Sequence, residues 1–253
     1  MIINLAYLYP DHMNIYGDQG NIDTLMYRSI KRNIKVNLIK VNQNSVLKPG
    51  NFDLLFAGGG QDRHQSSIAK DLLSRKNVLK KAAINNIPML TICGSYQLFG
   101  AYFKPFNGPK LKGINIFDAY TKASKVRKIG NIVIKTKILT PSTLVGFENH
   151  SGSTYINGST KPLGLVKFGY GNNDQDKLEG AVISNVFGCY LHGSLLPKNP
   201  HFADHLLRLA LEKKYGKISL NPLNDREEWQ AHYSAISSTK KNRHPLLKCL
   251  KSR

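Results

Sequence analysis

Cysteine is scarce: Cys93, Cys189 and Cys249 are all that the 253 residues contain. Their number is odd and no two form a CxxC pair. This argues against a disulfide framework and a zinc knuckle and makes a reducing cytosol the expected compartment. No window approaches about 18 consecutive apolar residues, so no membrane span is expected. The opening MIINLAYLYPDHMN lacks a basic n-region and a small-residue cleavage site, and reads as a first strand rather than a signal peptide. No GxxxxGK[ST] phosphate-binding loop is present. Acids are few as well: 16 Asp and Glu stand against 36 Lys and Arg, a net charge of +20. Such a field favours acidic partners, nucleic acid or an anionic membrane face. No RNP motif, zinc finger or helix-turn-helix accompanies it, and a surface of solvated lysines is the expected reading.

What is present is enough apolar residue, 41%, for one large or two small domains with a real core. In the first half, strand-like and helix-like segments alternate. Residues 2–8, 35–42, 52–60 and 87–92 read as strands. Residues 21–33, 66–86 and 95–102 read as helices, the second with a stripe of Ile68, Leu72, Leu73, Val78, Leu79 and Ala83. This alternation predicts an α/β fold with a mostly parallel sheet and helices on both faces. The second half is richer in short strands: NIVIKT, TLVGFEN, LGLVKFG, GAVISN and FGCYLHG. An amphipathic helix is predicted over 201–216, and another begins at DREEWQAHYSAI and runs into a basic tail. No internal repeat is visible. One α/β unit over 1–215, followed by a C-terminal helix and tail over 216–253, is the economical division.

The segment PMLTICGSYQLFG, residues 88–100, places a thiol at the tip of a strand with glycine beside it. Reactive residues collect outside the carboxyl ends of parallel strands. A strand–Cys–Gly–helix corner is the cysteine counterpart of a nucleophile elbow, and a helix N-terminus lowers a thiol pKa. A buried packing cysteine is an equal alternative on this segment alone. The AGGG corner, residues 57–60, follows another buried strand and could donate backbone N–H groups to an oxyanion, as could Gly94. A cysteine nucleophile needs a base in reach. Of eight histidines, His12, His64, His201, His205, His232 and His244 lie in polar or helical contexts expected at the surface. His150 in FENHSG and His192 in GCYLHG both end strands, and spacing does not choose between them.

Six segments, in order, carry a resemblance: MNIYGDQGNI (13–22), GGGQDRHQ (58–65), LTICGSYQ (90–97), VGFENHSGST (145–154), GYGNND (169–174) and YLHGSLLPKNP (190–200). Together they are similar to class I glutamine amidotransferases of the cobyric-acid-synthase-like (CobB/CobQ) branch, and within it to GatD-type small subunits of lipid II isoglutaminyl synthases. The resemblance implies a three-layer α/β fold and a glutaminase. Cys93 would be the nucleophile, His192 its base and then the acid for departing ammonia, and the Gly59 and Gly94 amides the oxyanion hole. Gln97 would contact bound glutamine, and Arg127 its α-carboxylate, bidentately. Arg127 lies within residues 104–137, which hold nine Lys and Arg and one acid, so on residue content alone it is one more solvated cation. The resemblance further implies no cofactor or metal in this chain. It implies a MurT-like ligase partner that carries ATP and Mg and amidates the D-glutamate α-carboxyl of lipid II, and a cytoplasmic location near the membrane. The alternatives are an amidotransferase for a cofactor pathway and a non-catalytic scaffold subunit.

One departure matters. Many class I enzymes carry a carboxylate two residues after the histidine, to orient it. Here that position is Ser194. A carboxylate from the partner is the expected substitute, with Glu148 as a local candidate. Cys189, three residues before His192, reads as packing.

Overall fold

The computed structural model describes residues 1–15, 17–60 and 62–241. Cys249 and the basic tail lie outside the described residues, as do the side chains of His64 and His244. In chain order the elements are β1 (Ile2–Leu8), α1 (Gln19–Ile30), β2 (Lys35–Val41), β3 (Leu54–Ala57), α2 (Asp62–Ser74), α3 (Lys76–Ile84), β4 (Met89–Ile92) and α4 (Gly94–Phe99). There follow β5 (Tyr102–Lys104), β6 (Leu111–Lys112), β7 (Ala119–Lys135), β8 (Thr143–Ile156), β9 (Gly164–Phe168), β10 (Leu178–Glu179), β11 (Ala181–Ile183), β12 (Val186–Cys189), α5 (Pro200–Tyr215) and α6 (Arg226–Lys241).

The described residues form two six-stranded sheets. The first has the order β11-β12-β4-β3-β1-β2 and is parallel except at the β11 edge. The α/β reading is correct for this sheet. Strands β3, β4 and β12 are buried along their whole length, as continuous apolar runs in a covered parallel sheet should be. The second sheet, β10-β9-β7-β5-β6 with β8 on β7, is antiparallel apart from the β5–β7 pair. The long hairpin of β7 and β8 is its spine.

The helices follow from their apolar faces. In α5, Phe202, Ala203, Leu206, Leu207, Ala210 and Leu211 are buried at helical spacing. The helix starts on Pro200 and ends on Gly216, whose φ of 85° only glycine adopts without strain. In α1 the buried face includes Arg28, held by Asp204 at 2.6 Å and Asp225 at 2.7 Å, which ties α1 to α5 and to the residue preceding α6. The single helix expected over 66–86 is two, broken at Arg75. The buried Arg75 guanidinium reaches Asp71, Ser45 O and Asn42 O, so it is spent on the chain between β2 and β3. The stretch 119–130 extends the strand expected at NIVIKT toward the N-terminus. Its register shifts between Ala123 and Lys128, and that irregularity erases the alternation.

No helix among the described residues is long and apolar enough to cross a membrane.

Candidate active site

β3 and β4 are adjacent parallel strands, so their carboxyl ends place residues 57–60 and Cys93 side by side. Cys93 itself has φ 50° and ψ −106°, between β4 and α4. A non-glycine residue held there costs about 1–3 kcal/mol and is over-determined by its surroundings. Two backbone bonds do this: Cys93 N–H donates to Cys189 O at 2.8 Å, and Cys93 O accepts from Gln97 N–H at 2.9 Å. The Cys93 side chain is buried, 7% exposed.

His192 arrives from β12, on the other side of β4. Just beyond β12 its backbone forms a two-bond bridge with Phe147 of β8: His192 N–H to Phe147 O, 2.8 Å, and Phe147 N–H to His192 O, 3.1 Å. The second sheet thereby fixes the histidine that the first sheet delivers. Gly146 permits this approach, since a Cβ there would stand 2.7 Å from Leu191 Cβ.

Gly59 shows how closely the parts meet. A Cβ on Gly59 would fall 2.8 Å from His192 Cε1 and 3.3 Å from Cys93 Cβ. The thiol-bearing carbon, the imidazole and the glycine loop therefore share one small volume. His192 is wholly buried, and burial, with His150 and Arg127 nearby, pushes its pKa down to about 3. At neutral pH the ring is neutral and able to accept a proton.

The Gly59 N–H, expected to face the nucleophile, donates instead to Asp18 Oδ2 at 2.6 Å. Gly94 opens α4 directly after Cys93. Gln97 lies one turn on, buried, with Nε2 donating to Tyr190 Oη at 3.2 Å. Tyr190 continues to Thr154 and Thr121, 2.6 and 2.7 Å along the chain of hydroxyls. Arg127 is exposed on β7 and its Nε donates to Asn149 Oδ1 at 2.5 Å. It is close enough to His192 to depress that pKa.

His150 is stacked on Tyr190, 3.6 Å between centroids at 6°, and its Nδ1–H donates to Gly152 O at 2.8 Å. It is built into a buried polar network. The local candidate for orienting His192, Glu148, is committed elsewhere. Its oxygens accept the N–H groups of Tyr170 at 2.7 Å and Gly171 at 2.9 Å, and Oε2 lies 3.7 Å from His150 Nε2. Ser194 donates from Oγ to Gly17 O, which joins the residue after the His–Gly pair to the first β–α loop. Cys189 is fully buried, and its thiol pKa is pushed up by burial, as a packing cysteine's would be. His232, expected at the surface, is buried between Thr143 Oγ1 and Lys198 O, 2.8 Å from each, because α6 packs over β8. No His/Cys/Asp/Glu cluster among the described residues could hold a metal ion.

Asp18 is the residue that sequence reasoning missed. The available signal was an acid in the first β–α loop, where a parallel sheet collects functional groups.

Residues 4–200 match the CobB/CobQ-like glutamine amidotransferase domain. The chain belongs to this family. Its amidotransferase relatives include the GatD subunit of lipid II isoglutaminyl synthase (glutamine-hydrolyzing) from Staphylococcus aureus, 42% identical over 90% of this chain and 93% of that protein. The corresponding Streptococcus pneumoniae subunit is 38% identical over 93% of this chain and 92% of its own length. A probable cobyric acid synthase of Methanothermobacter thermautotrophicus is 30% identical, but over 51% of this chain and 27% of that protein. Among solved structures, a Thermotoga maritima glutamine amidotransferase superposes with a TM-score of 0.54 at 15% identity, covering 94% of this chain and 92% of that one. The glutaminase domain of Trypanosoma brucei CTPS with bound acivicin gives 0.55 at 12%, covering 87% and 96%. At such identities these two speak for the amidotransferase fold alone.

Proposed function

We propose that this chain is the glutaminase subunit of a two-protein amidating enzyme of the lipid II isoglutaminyl synthase type. The observation that carries the reading is that Cys93 and His192 both close on Gly59, where an added Cβ would meet each within 3.3 Å, at the carboxyl ends of the parallel strands. The extent of similarity to two GatD subunits, over nine-tenths of the chain, selects this reading over a cofactor-pathway amidotransferase.

The chemistry runs in two halves. Neutral His192 takes the Cys93 thiol proton, and the thiolate attacks the side-chain carbonyl carbon of L-glutamine. Backbone N–H groups, Gly94 with one from the 57–60 loop, hold the oxyanion; each is worth about 2.7–4 kcal/mol of barrier. Collapse breaks the C–N bond, His192 returns its proton to the departing ammonia, and a thioester remains on Cys93. Water, deprotonated by His192, then releases glutamate. Arg127 receives the α-carboxylate and Gln97 contacts the bound substrate. Ammonia passes to a MurT-like, Mur-ligase-family partner, which holds ATP and Mg and activates the D-glutamate α-carboxyl of lipid II. The product is D-isoglutamine in peptidoglycan.

Glu148 is spent on Tyr170 and Gly171, which supports a partner carboxylate as the group that orients His192. The glutaminase would then depend on the complex. A cytoplasmic site near the inner membrane face suits the lipid-linked acceptor and the basic surface.

The test is glutamate and ammonia release by Cys93→Ala with the partner present. Loss of release is expected; wild-type release would sink the mechanism. Copurification from the native host identifies the partner, and a cobalamin-pathway protein in its place would favour the cofactor reading.

A further inference from the structure

Beyond β3 the chain runs through Gly58, Gly59 and Gly60 with alternating directions, as an extended segment does. Cβ positions at Gly58 and Gly60 would face Met13, and that at Gly59 faces His192 and Cys93. The backbone polar groups alternate as well. Gly58 C=O accepts from Ser95 Oγ at 2.6 Å, on the side of α4. Gly59 turns both its groups the other way. Its N–H donates to Asp18 Oδ2 at 2.6 Å, and its C=O accepts from Ile15 N–H at 3.3 Å. In an extended chain the facing reverses at each residue. The next N–H, that of Gly60, therefore returns to the side where Cys93 and Ser95 stand.

Three successive glycines have little intrinsic preference for one facing over its flip. Something outside the loop must choose. Asp18 is placed to do so: it is fully buried, and its Oδ1 has no hydrogen-bond partner among the described residues. Releasing the Gly59 N–H would leave a buried carboxyl without its backbone donor, which is costly.

We propose that Asp18 is a positioning residue for the oxyanion loop. By holding the Gly59 N–H it presents the Gly60 N–H, rather than that of Gly59, to the oxyanion formed on Cys93. This rests on the glutaminase reading and names which amide of the loop works with Gly94. Asp18 touches neither substrate nor thiol; it acts through the peptide it fixes.

The experiment uses the full chain with its ligase partner and follows glutamate release from L-glutamine. Asp18→Ala should lower kcat at least tenfold while KM stays within threefold. Asp18→Asn keeps an acceptor oxygen and places its NH2 where Oδ1 has no partner, so it should return kcat to within threefold of wild type. Unchanged kcat in Asp18→Ala overturns the proposal. So does a parallel loss in kcat, KM and melting temperature that Asn does not rescue, since that pattern marks a merely structural residue. A backbone test avoids any folding failure of the side-chain variants. Glycolate in place of Gly60 replaces one N–H by an ester oxygen, and should cost about 10²–10³ in kcat, the range for a lost oxyanion donor. Glycolate at position 59 should cost less; the reverse order overturns the assignment. Cys93→Ala is the control for the reading itself. If that variant still releases glutamate, the glutaminase reading fails; if it is dead while Asp18→Ala is normal, only the positioning role fails.

Discussion

The two sheets divide the labour. The parallel sheet supplies the groups that meet at the thiol: Cys93 after β4, the glycines after β3, and His192 after β12. The antiparallel sheet supplies what surrounds them: Arg127 and Asn149 across β7 and β8, His150 and Glu148 on β8, and the Phe147 bridge that steadies His192. Strands that run side by side in parallel bring several chain ends to one line, which suits an assembled reacting centre. A long antiparallel hairpin offers a face with alternating residues, which suits recognition and support. The comparison predicts that damage to the first sheet's residues removes chemistry, whereas damage to the second sheet's residues changes binding or stability.

The largest contrast lies between the two histidines that spacing could not separate. His192→Ala, like Cys93→Ala, should lower glutaminase kcat by about 10³-fold or more, as removal of one member of a nucleophile–base pair does. His150→Ala removes a ring stacked on Tyr190 and should cost far less in kcat, with its main effect on thermal stability. Equal losses in the two variants, measured as single-turnover rates, would erase the proposed division.

A smaller loss is expected from Gly59→Ala. The added methyl would sit 2.8 Å from His192 Cε1, and the buried ring has to yield. Displacement of the base by about 1 Å can cost on the order of 10²-fold. The fall should appear in kcat, with the folded state retained by circular dichroism. A variant with wild-type kcat would mean that His192 is not held against the loop in the working enzyme.

Arg127 tests the second sheet. Arg127→Ala should raise KM for glutamine by about tenfold or more with kcat much less affected, the signature of lost ground-state binding. Arg127→Lys should rescue little, because an ammonium cannot reproduce the two parallel bonds of a guanidinium fork. If kcat fell while KM held, Arg127 would belong with the chemistry, and the line between the sheets would have to be redrawn.

How legible these sheets were in the sequence follows from their physics. The parallel strands are buried on both faces, so IINLAYL, FDLLFA and IPMLTI stand out as apolar runs, with glycine or cysteine at the end that matters. The antiparallel sheet is half solvated and interrupted by a register shift. KASKVRK therefore reads as a basic loop although it lies in the strand β7. Cys93 was visible as a corner and the 57–60 glycines as candidate donors, yet Gln97 and Arg127 took their roles only from resemblance to a family. Asp18 was hidden for a different reason. A short-range pattern shows a carboxylate between glycines in GDQG, but not the peptide 41 positions later in the chain that it binds. The break at Arg75 was hidden in the same way, since its partners Ser45 and Asn42 lie far along the chain.

The smallest predicted effect is in the pH dependence of stability, and it separates the sheets once more. Burial raises the Asp18 carboxyl to about 7 and the Glu179 carboxyl to about 8, from ordinary values of 3.8 and 4.5. Burial lowers His192 to about 3 and His201 and His205 to about 4, from 6.5. The signs are opposite. Between about pH 4.5 and 8 the folded chain keeps carboxyl protons that the unfolded chain has released, so these two groups lose stability as pH rises through 7 and 8. Below pH 6.5 the unfolded chain gains histidine protons that the folded chain refuses, so those groups lose stability as pH falls toward 3. In the overlap the two trends offset; above 6.5 only the carboxyls act. Melting temperature should therefore decline between pH 6.5 and 8. Asp18→Asn removes the share set behind the parallel sheet's glycine loop. Glu179→Gln removes the share of β10, whose Glu179 carboxyl oxygen accepts the Tyr190 N–H at 2.6 Å just past β12. Each variant should flatten that decline by up to one proton while leaving the acid limb in place. A decline unchanged in both would show that the folded chain gives up these protons as readily as the unfolded one, and that neither sheet holds a neutral carboxyl at its edge.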